Sequence, residues 1–319
     1  MEMEGYFLWT QAKKLLTVVT LAALAIITAV AMSRSASFYG STPSREEITT
    51  LPENYRPPIE ELDPQTVKVK VTSNQAIRCV QDVWPSVAGV SADATLIRDV
   101  LSGRVLWLLE YKVDGAVIVS ALVDAERGKV ISLADFRRSA RVDNIKNTDK
   151  AVAIAANLLE KLGVELSQVS NPTVAIRRIP NTDLSQEIIY EVQWRQVYKG
   201  IQVMGGIVLV EIDAETLSPV GFSTLLLDVN NVDINASISK EQAVNVAKNF
   251  VENAGCKVGE VIDAQLVIGR PNYYWEGSPT ELGDPALMWN VLLKDGAGKR
   301  IDVWVDAKTG SVVGGTLYR

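Results

Sequence analysis

The sequence predicts an α+β fold made of three tandem units, each one helix packed on an antiparallel sheet, behind an N-terminal transmembrane helix. Three recurrences carry the prediction. A short amphipathic stripe of helical period, a tryptophan followed by alternating β pattern, and an Asp-Ala turn occur in that order three times along the 319 residues. Such repetition marks a supersecondary unit copied in tandem. With 47% apolar residues the chain is long enough to bury two or three cores.

The helices come first in each unit. Ala76, Ile77, Val80, Val83 and Trp84 share their spacing with Ala151, Val152, Ala155, Leu158 and Leu159, and with Ala243, Val244, Ala247, Phe250 and Val251. That spacing sets five apolar side chains on one stripe of a 3.6-residue helix, so one face is buried. Four residues ahead of each leading alanine stand Thr72, Asn147 and Ser239, whose side chains can accept from the orphan amides of a first turn. Gln75 and Gln242 complete capping boxes in the first and third copies, whereas Lys150 leaves the second incomplete.

Strands follow. Downstream of each helix stand Trp107, Trp194 and Trp289, then runs such as Val117-Val119-Ala121-Val123, Val208-Val210-Ile212 and Ile301-Val303-Val305, whose alternation gives a sheet one apolar face. Each run ends in an aspartate, Asp124, Asp213 or Asp306, followed by alanine. An Asp-led turn that ends in Gly128 or Gly310 suits a hairpin in which Asp binds nearby amides and Gly takes the left-handed conformation. The second copy has Leu217-Ser218-Pro219 instead, so that hairpin is expected to close differently.

Residues 15–32 carry no charge and follow Lys13 and Lys14. Eighteen uncharged, largely apolar residues fit either an uncleaved anchor or a signal peptide cleaved near Ala29-x-Ala31; the length and the aromatic Tyr6, Phe7 and Trp9 favour the anchor. In both cases the lysines keep residues 1–14 cytoplasmic and send the remainder outside, so the expected localisation is the cell membrane with an extracytoplasmic C-terminal region, or secretion after cleavage. Residues 33–66, with Pro43, Pro52, Pro57, Pro58 and Pro64, read as a semi-rigid spacer. The three units are placed at 67–140, 141–230 and 231–319.

The chemistry that is missing narrows the function. The chain has no histidine, which removes the imidazole base, the Ser-His and Cys-His pairs and the helical zinc site. No phosphate-cradling glycine string follows a strand, and a net charge of -6 argues against nucleic acid. Each turn aspartate is a lone carboxylate, where calcium asks for six or more oxygens. No catalytic, cofactor or metal site is therefore expected, and the chain is read as not an enzyme. Cys79 and Cys256 are not paired by their spacing. The aromatic loop from Asn272 to Pro279, with Tyr273, Tyr274 and Trp275, either folds back on its own sheet or anchors an interface.

A helix followed by a hairpin ending in Asp-Ala-x-x-Gly and a short final strand resembles the PepSY domain, and the second unit is similar to the related propeptide domain of thermolysin-like and fungalysin-type peptidases. Gln196, Tyr198, Gly200, Ile201, Val203 and Gly205 match the Gln-x-Tyr-x-Gly-Ile-x-Val-x-Gly string of those propeptides in register, with Gln202 in place of the usual proline. The resemblance implies a cystatin-like helix-on-sheet layer and a role in inhibiting, escorting or localising a protein partner, often a peptidase. No peptidase domain lies within the 319 residues. The layout of anchor, spacer and tandem units also resembles membrane-anchored regulators of envelope sensor kinases.

The expected function is thus a membrane-anchored extracytoplasmic binding protein that modulates a peptidase or envelope partner. A structural protein assembling into oligomers or filaments through sheet edges is the alternative, and regulation of a sensor kinase the second. Units of this size dock and leave a sheet edge open to strand addition, expected along Ile201 to Val210. Tyr198, Ile201, Val203, Tyr273, Tyr274 and Trp275 are the candidate partner-binding residues, while Asp124, Asp213, Asp306, Gly128 and Gly310 are turn-forming.

Overall fold

The computed structural model describes residues 59–99, 103–137, 148–180, 186–273 and 283–317. The expected membrane segment, most of the spacer, the Asn147 cap, Tyr274 and Trp275 lie outside them. Among the described residues no helix is long and apolar enough to cross a membrane. The fold is mixed α+β: among the described residues three helices, α1 (Ser73–Val83), α2 (Thr148–Lys161) and α3 (Lys240–Asn253), accompany a strand-rich remainder.

The described residues gather into two compact units. The first draws on the chain up to Lys146, on Arg177–Ile189 and on Glu211–Ser223; the second draws on Asn147–Ile176, Tyr190–Val210 and Thr224–Arg319. The segment read as a middle unit is shared between them.

In the first unit the strands are β1 (Ile59–Leu62), β2 (Ala92–Asp99), β3 (Val105–Val113), β4 (Ala116–Asp124) and β5 (Val130–Asp135), joined in that order as antiparallel neighbours. Asp114 and Gly115 turn β3 into β4 with φ of 50° and 82°, the paired left-handed conformation that matches strand twist. Beyond β5 comes β9 (Pro219–Leu225), with Phe222 opposite Leu133 and Gly221 opposite Ala134. Helix α1 starts at a complete capping box: the Thr72 side chain accepts from the Gln75 amide at 3.3 Å, and the Thr72 amide donates back to Gln75 Oε1 at 2.8 Å. Its stripe buries Ala76 and Val80 completely, and the facing strand positions Val119, Ala121 and Val123 are likewise fully buried. The alternation read from the sequence therefore sorts the sheet into a helix-covered face and its reverse.

In the second unit β10 (Val258–Gly269), β12 (Ala286–Asp295), β13 (Arg300–Asp306) and β14 (Val312–Leu317) form an antiparallel run. The two-residue β11 (Asn272–Tyr273) lies parallel to β14. Helix α3 covers this sheet, burying Ala243, Ala247 and Val251 against Ala264, Val291, Leu293, Ile301, Val303 and Val305. It too begins with a full capping box, between Ser239 and Gln242. The long hairpin of β7 (Gln186–Tyr198) and β8 (Ile201–Asp213) contributes residues 190–210 here, and β6 (Thr173–Pro180) pairs with β7 alone. Helix α2 buries Ala151, Ala155, Leu158 and Leu159. Cys79 and Cys256 are half-buried free thiols.

Candidate interaction surface

The β7–β8 hairpin contains the propeptide-like string, and its residues turn out to hold the chain's own next segment. Lys199 and Gly200, with φ of 50° and 82°, form the tight two-residue turn. Behind it the Gln196 side chain is buried and acts as a backbone mimic: its amide nitrogen donates to the Leu227 carbonyl and its oxygen accepts from the Leu227 amide. Gly206 faces this side chain, and a Cβ there would collide with it. Tyr198 donates its hydroxyl to the Asn230 carbonyl at 2.9 Å while Lys199 Nζ sits 4.9 Å from the centre of its ring.

Apolar contacts continue the same attachment. Val203, Val229, Ile268, Leu287 and Ala307 form a buried cluster, with Tyr198, Ile201, Leu227, Val232 and Ile234 packed against it. Further along, Lys308 pairs with Asp233 at 2.5 Å. Residues 227–234 are thus strapped across the hairpin.

Two expectations are corrected by this geometry. Val203 is 1% exposed and belongs to the core, so it is not a contact residue, while Ile201 and Tyr198 are half-buried and pack against the same cluster. The stretch from Ile201 to Val210 is also not an outer edge. It is flanked by β7 and, at Gln202 and Val203, by β10, which runs parallel with Val267 and Ile268 opposite them, and β9 is a third neighbour of β8. Alternation marks a strand but not what pairs on either side, and this partner arrives some sixty residues later.

The Asp-Ala turns are internal joints. Asp124 Oδ1 accepts from the amides of Glu126 and Arg127, Asp213 Oδ1 from those of Glu215 and Thr216, and Asp306 Oδ1 from those of Lys308 and Thr309. Ala125, Ala214 and Ala307 are fully buried. The Ala125 carbonyl accepts from the Val71 amide, and the Ala307 carbonyl accepts from those of Ser237 and Ile238. Trp107 donates its indole N–H to the Val71 carbonyl at 2.8 Å, and Trp289 donates to the Ile238 carbonyl at 3.2 Å. Val71 and Ile238 each stand one residue before a helix cap, so turn, indole and cap meet at the start of α1 and of α3.

The second turn overturns the expectation that it closes differently. Leu217 donates its amide to the Asp213 carbonyl as Gly128 does to Asp124 and Gly310 to Asp306. Its φ is 55°, against 69° and 75° for the two glycines. The Asp213 joint imposes the left-handed conformation on a leucine.

Electrostatics add one lock that the sequence did not disclose. Asp135 is buried in the first unit and accepts from Trp84 Nε1 at 2.9 Å and from the Arg137 side chain and amide. Burial raises its pKa, but these hydrogen bonds outweigh it and hold the carboxyl below its ordinary 3.8. Trp84 also meets the Phe222 ring at a centroid distance of 6.3 Å. The buried Tyr111 hydroxyl, which donates to the Ile77 carbonyl, is pushed up to about 12 by burial, with a smaller contribution from Cys79.

Among the described residues the exposed large apolar side chains are Ile59, Val113, Phe136, Leu166, Val174 and Ile176. Tyr273 sits on β11 beside Gly315 of β14. Among the described residues no group of three or more Cys, Asp or Glu is placed to hold a metal ion.

A helix laid on an antiparallel sheet, with a hairpin joined to the helix start through an Asp-Ala turn, thus occurs at α1 and again at α3. Residues 237–316, which hold α3 and β10 to β14, match the family described as "Peptidase propeptide and YPEB domain", and this part of the chain is a PepSY domain. Among solved structures the chain is similar to the Bacillus megaterium YpeB C-terminal domain, at 15% identity and a TM-score of 0.40, over 79% of this chain and 100% of that one. No curated protein sequence matches.

Proposed function

We propose that the chain is a non-catalytic binding protein of the cell envelope, tethered through residues 15–32, that modulates a peptidase or another envelope protein outside the cytoplasm. The observation that carries this reading is the PepSY domain at 237–316, whose family description names peptidase propeptides. Absence of histidine from the sequence supports a binding role, since it removes the commonest general base. The shared joint of Trp107 with Val71 and of Trp289 with Ile238 supports reading the upstream helix-and-sheet segments as relatives of the same module.

Partner contact is proposed to run through the aromatic residues Tyr273, Tyr274 and Trp275, of which Tyr273 alone lies among the described residues, on β11. Aromatic side chains are the residues that most often dominate interface energetics. The test is a Tyr274→Ala, Trp275→Ala variant of the full-length protein used as bait on solubilised native membranes. Loss of the captured protein with an unchanged melting temperature is expected. A large fall in melting temperature would place the rings in the core and remove them from the interface.

A further inference from the structure

Among the described residues three strands have a strand neighbour on one side only: β1, β6 and the two-residue β11. The first two have complementary sequences. β1 reads Ile59-Glu60-Glu61-Leu62, and the centre of β6 reads Ile176-Arg177-Arg178-Ile179. Apolar, acid, acid, apolar thus stands against apolar, base, base, apolar.

Both edges are open. Ile59 is 40% exposed and Ile176 41%, and Glu60, Glu61 and Arg178 are exposed as well. An apolar, β-branched edge with unused backbone donors and acceptors is a template for another strand. One charge on each strand is already engaged at home: Glu60 pairs with Arg98 of β2 at 2.9 Å, and Arg177 pairs with the buried Glu211. Glu61 and Arg178 remain at the rim.

From this we infer that β1 of one copy of the chain adds to β6 of a second copy, in parallel register, with Ile59 beside Ile176, Glu60 beside Arg177 and Glu61 beside Arg178. The charges select the pairing. Two β6 strands would bring Arg against Arg and two β1 strands Glu against Glu, and like charges directly opposed across strands are destabilising. Only the unlike pairing removes the repulsion. Because each copy offers one donor edge and one acceptor edge, the contact is head-to-tail and continues beyond two copies, into a ring or an open series. Four residue pairs make a weak contact, so the series grows with protein concentration and dissolves at high salt. This surface is separate from the aromatic residues assigned to the partner, so either proposal can fail alone.

Sedimentation equilibrium on the purified full-length protein in mild detergent tests it. The mass is expected to rise with concentration at low salt and to fall to that of the monomer at high salt. Arg178→Glu alone and Glu61→Lys alone are each expected to abolish the rise, and an equimolar mixture of the two variants to restore it, since each then supplies the charge that the other has lost. A monomer at every concentration overturns the inference. So does association that ignores both reversals, or a mixture that fails to recover; association through the N-terminal apolar segment would give the first of these two patterns. Since Glu61 and Arg178 are exposed, the thermal unfolding of each variant should match that of the parent, and recovery in the mixture decides the matter even where it does not.

Discussion

Leu217 holds the backbone conformation that Gly310 holds in the corresponding turn, at φ of 55° against 75°, and each donates its amide to the carbonyl of the aspartate four residues earlier. A side chain in the left-handed region costs about 1–2 kcal/mol, which glycine does not incur. Leu217→Gly is therefore expected to stabilise the protein by about 0.5–1 kcal/mol after the extra freedom of the unfolded glycine is deducted. Urea unfolding at fixed m-value measures it. Gly310→Leu should move the midpoint the other way by about 1–2 kcal/mol.

The strap over residues 227–234 depends on one amide group. Gln196→Ala leaves the Leu227 amide and carbonyl without their partner in a part-buried setting, at an expected cost of about 1–3 kcal/mol. Limited proteolysis should then cut between Leu227 and Ile234 faster than in the parent. Gly206→Ala should open the same region, because the added methyl displaces the Gln196 side chain.

Replacing either joint tryptophan by phenylalanine keeps most of the apolar volume and removes the indole donor. Trp107→Phe and Trp289→Phe are each expected to cost about 1–2 kcal/mol through the lost hydrogen bond to Val71 or Ile238. Calorimetry on the two single variants and the double variant should show additive losses if the joints act independently.

Acid should release the Asp135 lock. Its folded pKa lies below the ordinary 3.8, so the folded state binds the proton more weakly than the unfolded state. The stabilisation is fully present above 3.8 and is lost as pH falls through the lower folded value. Asp135→Asn should therefore destabilise the protein at neutral pH and lose its effect in strong acid, as read from urea midpoints at both pH values. Asp233 follows the same direction. Its carboxyl is held at about 2, chiefly by the Lys308 ammonium and then by the Asn235 amide, so an NMR titration should find it ionised where ordinary aspartates have taken up a proton.

What the sequence disclosed was whatever is local. The stripes at Ala76 and Ala243, the boxes at Thr72–Gln75 and Ser239–Gln242, and the Asp-led turns each lie within a few residues, where period and capping chemistry suffice. The turn at Leu217 departs from what its composition suggests because Asp213 Oδ1 accepts from three donors, the Glu215 and Thr216 amides and the Thr216 hydroxyl. β8 was placed at an edge because its parallel neighbour β10 lies far along the chain. The Gln196 clamp had a signal, since Gln196 stands in the matched string, but nothing in the string names Gly206 or Leu227 as its other parts. Asp135 and Trp84, fifty-one residues apart, left no trace in period or motif.

The buried alanine carbonyls have a consequence for synthesis. Val71 waits for Ala125, and Ser237 waits for Ala307, so the first amides ahead of α1 and α3 acquire their acceptors only after more than fifty further residues have been made. Each helix can coil as it leaves the ribosome, yet it stays unmoored until the hairpin behind it is finished. A nascent chain halted just short of Asp306 would carry α3 adrift, exposing its greasy stripe to whatever chaperone or neighbour is at hand.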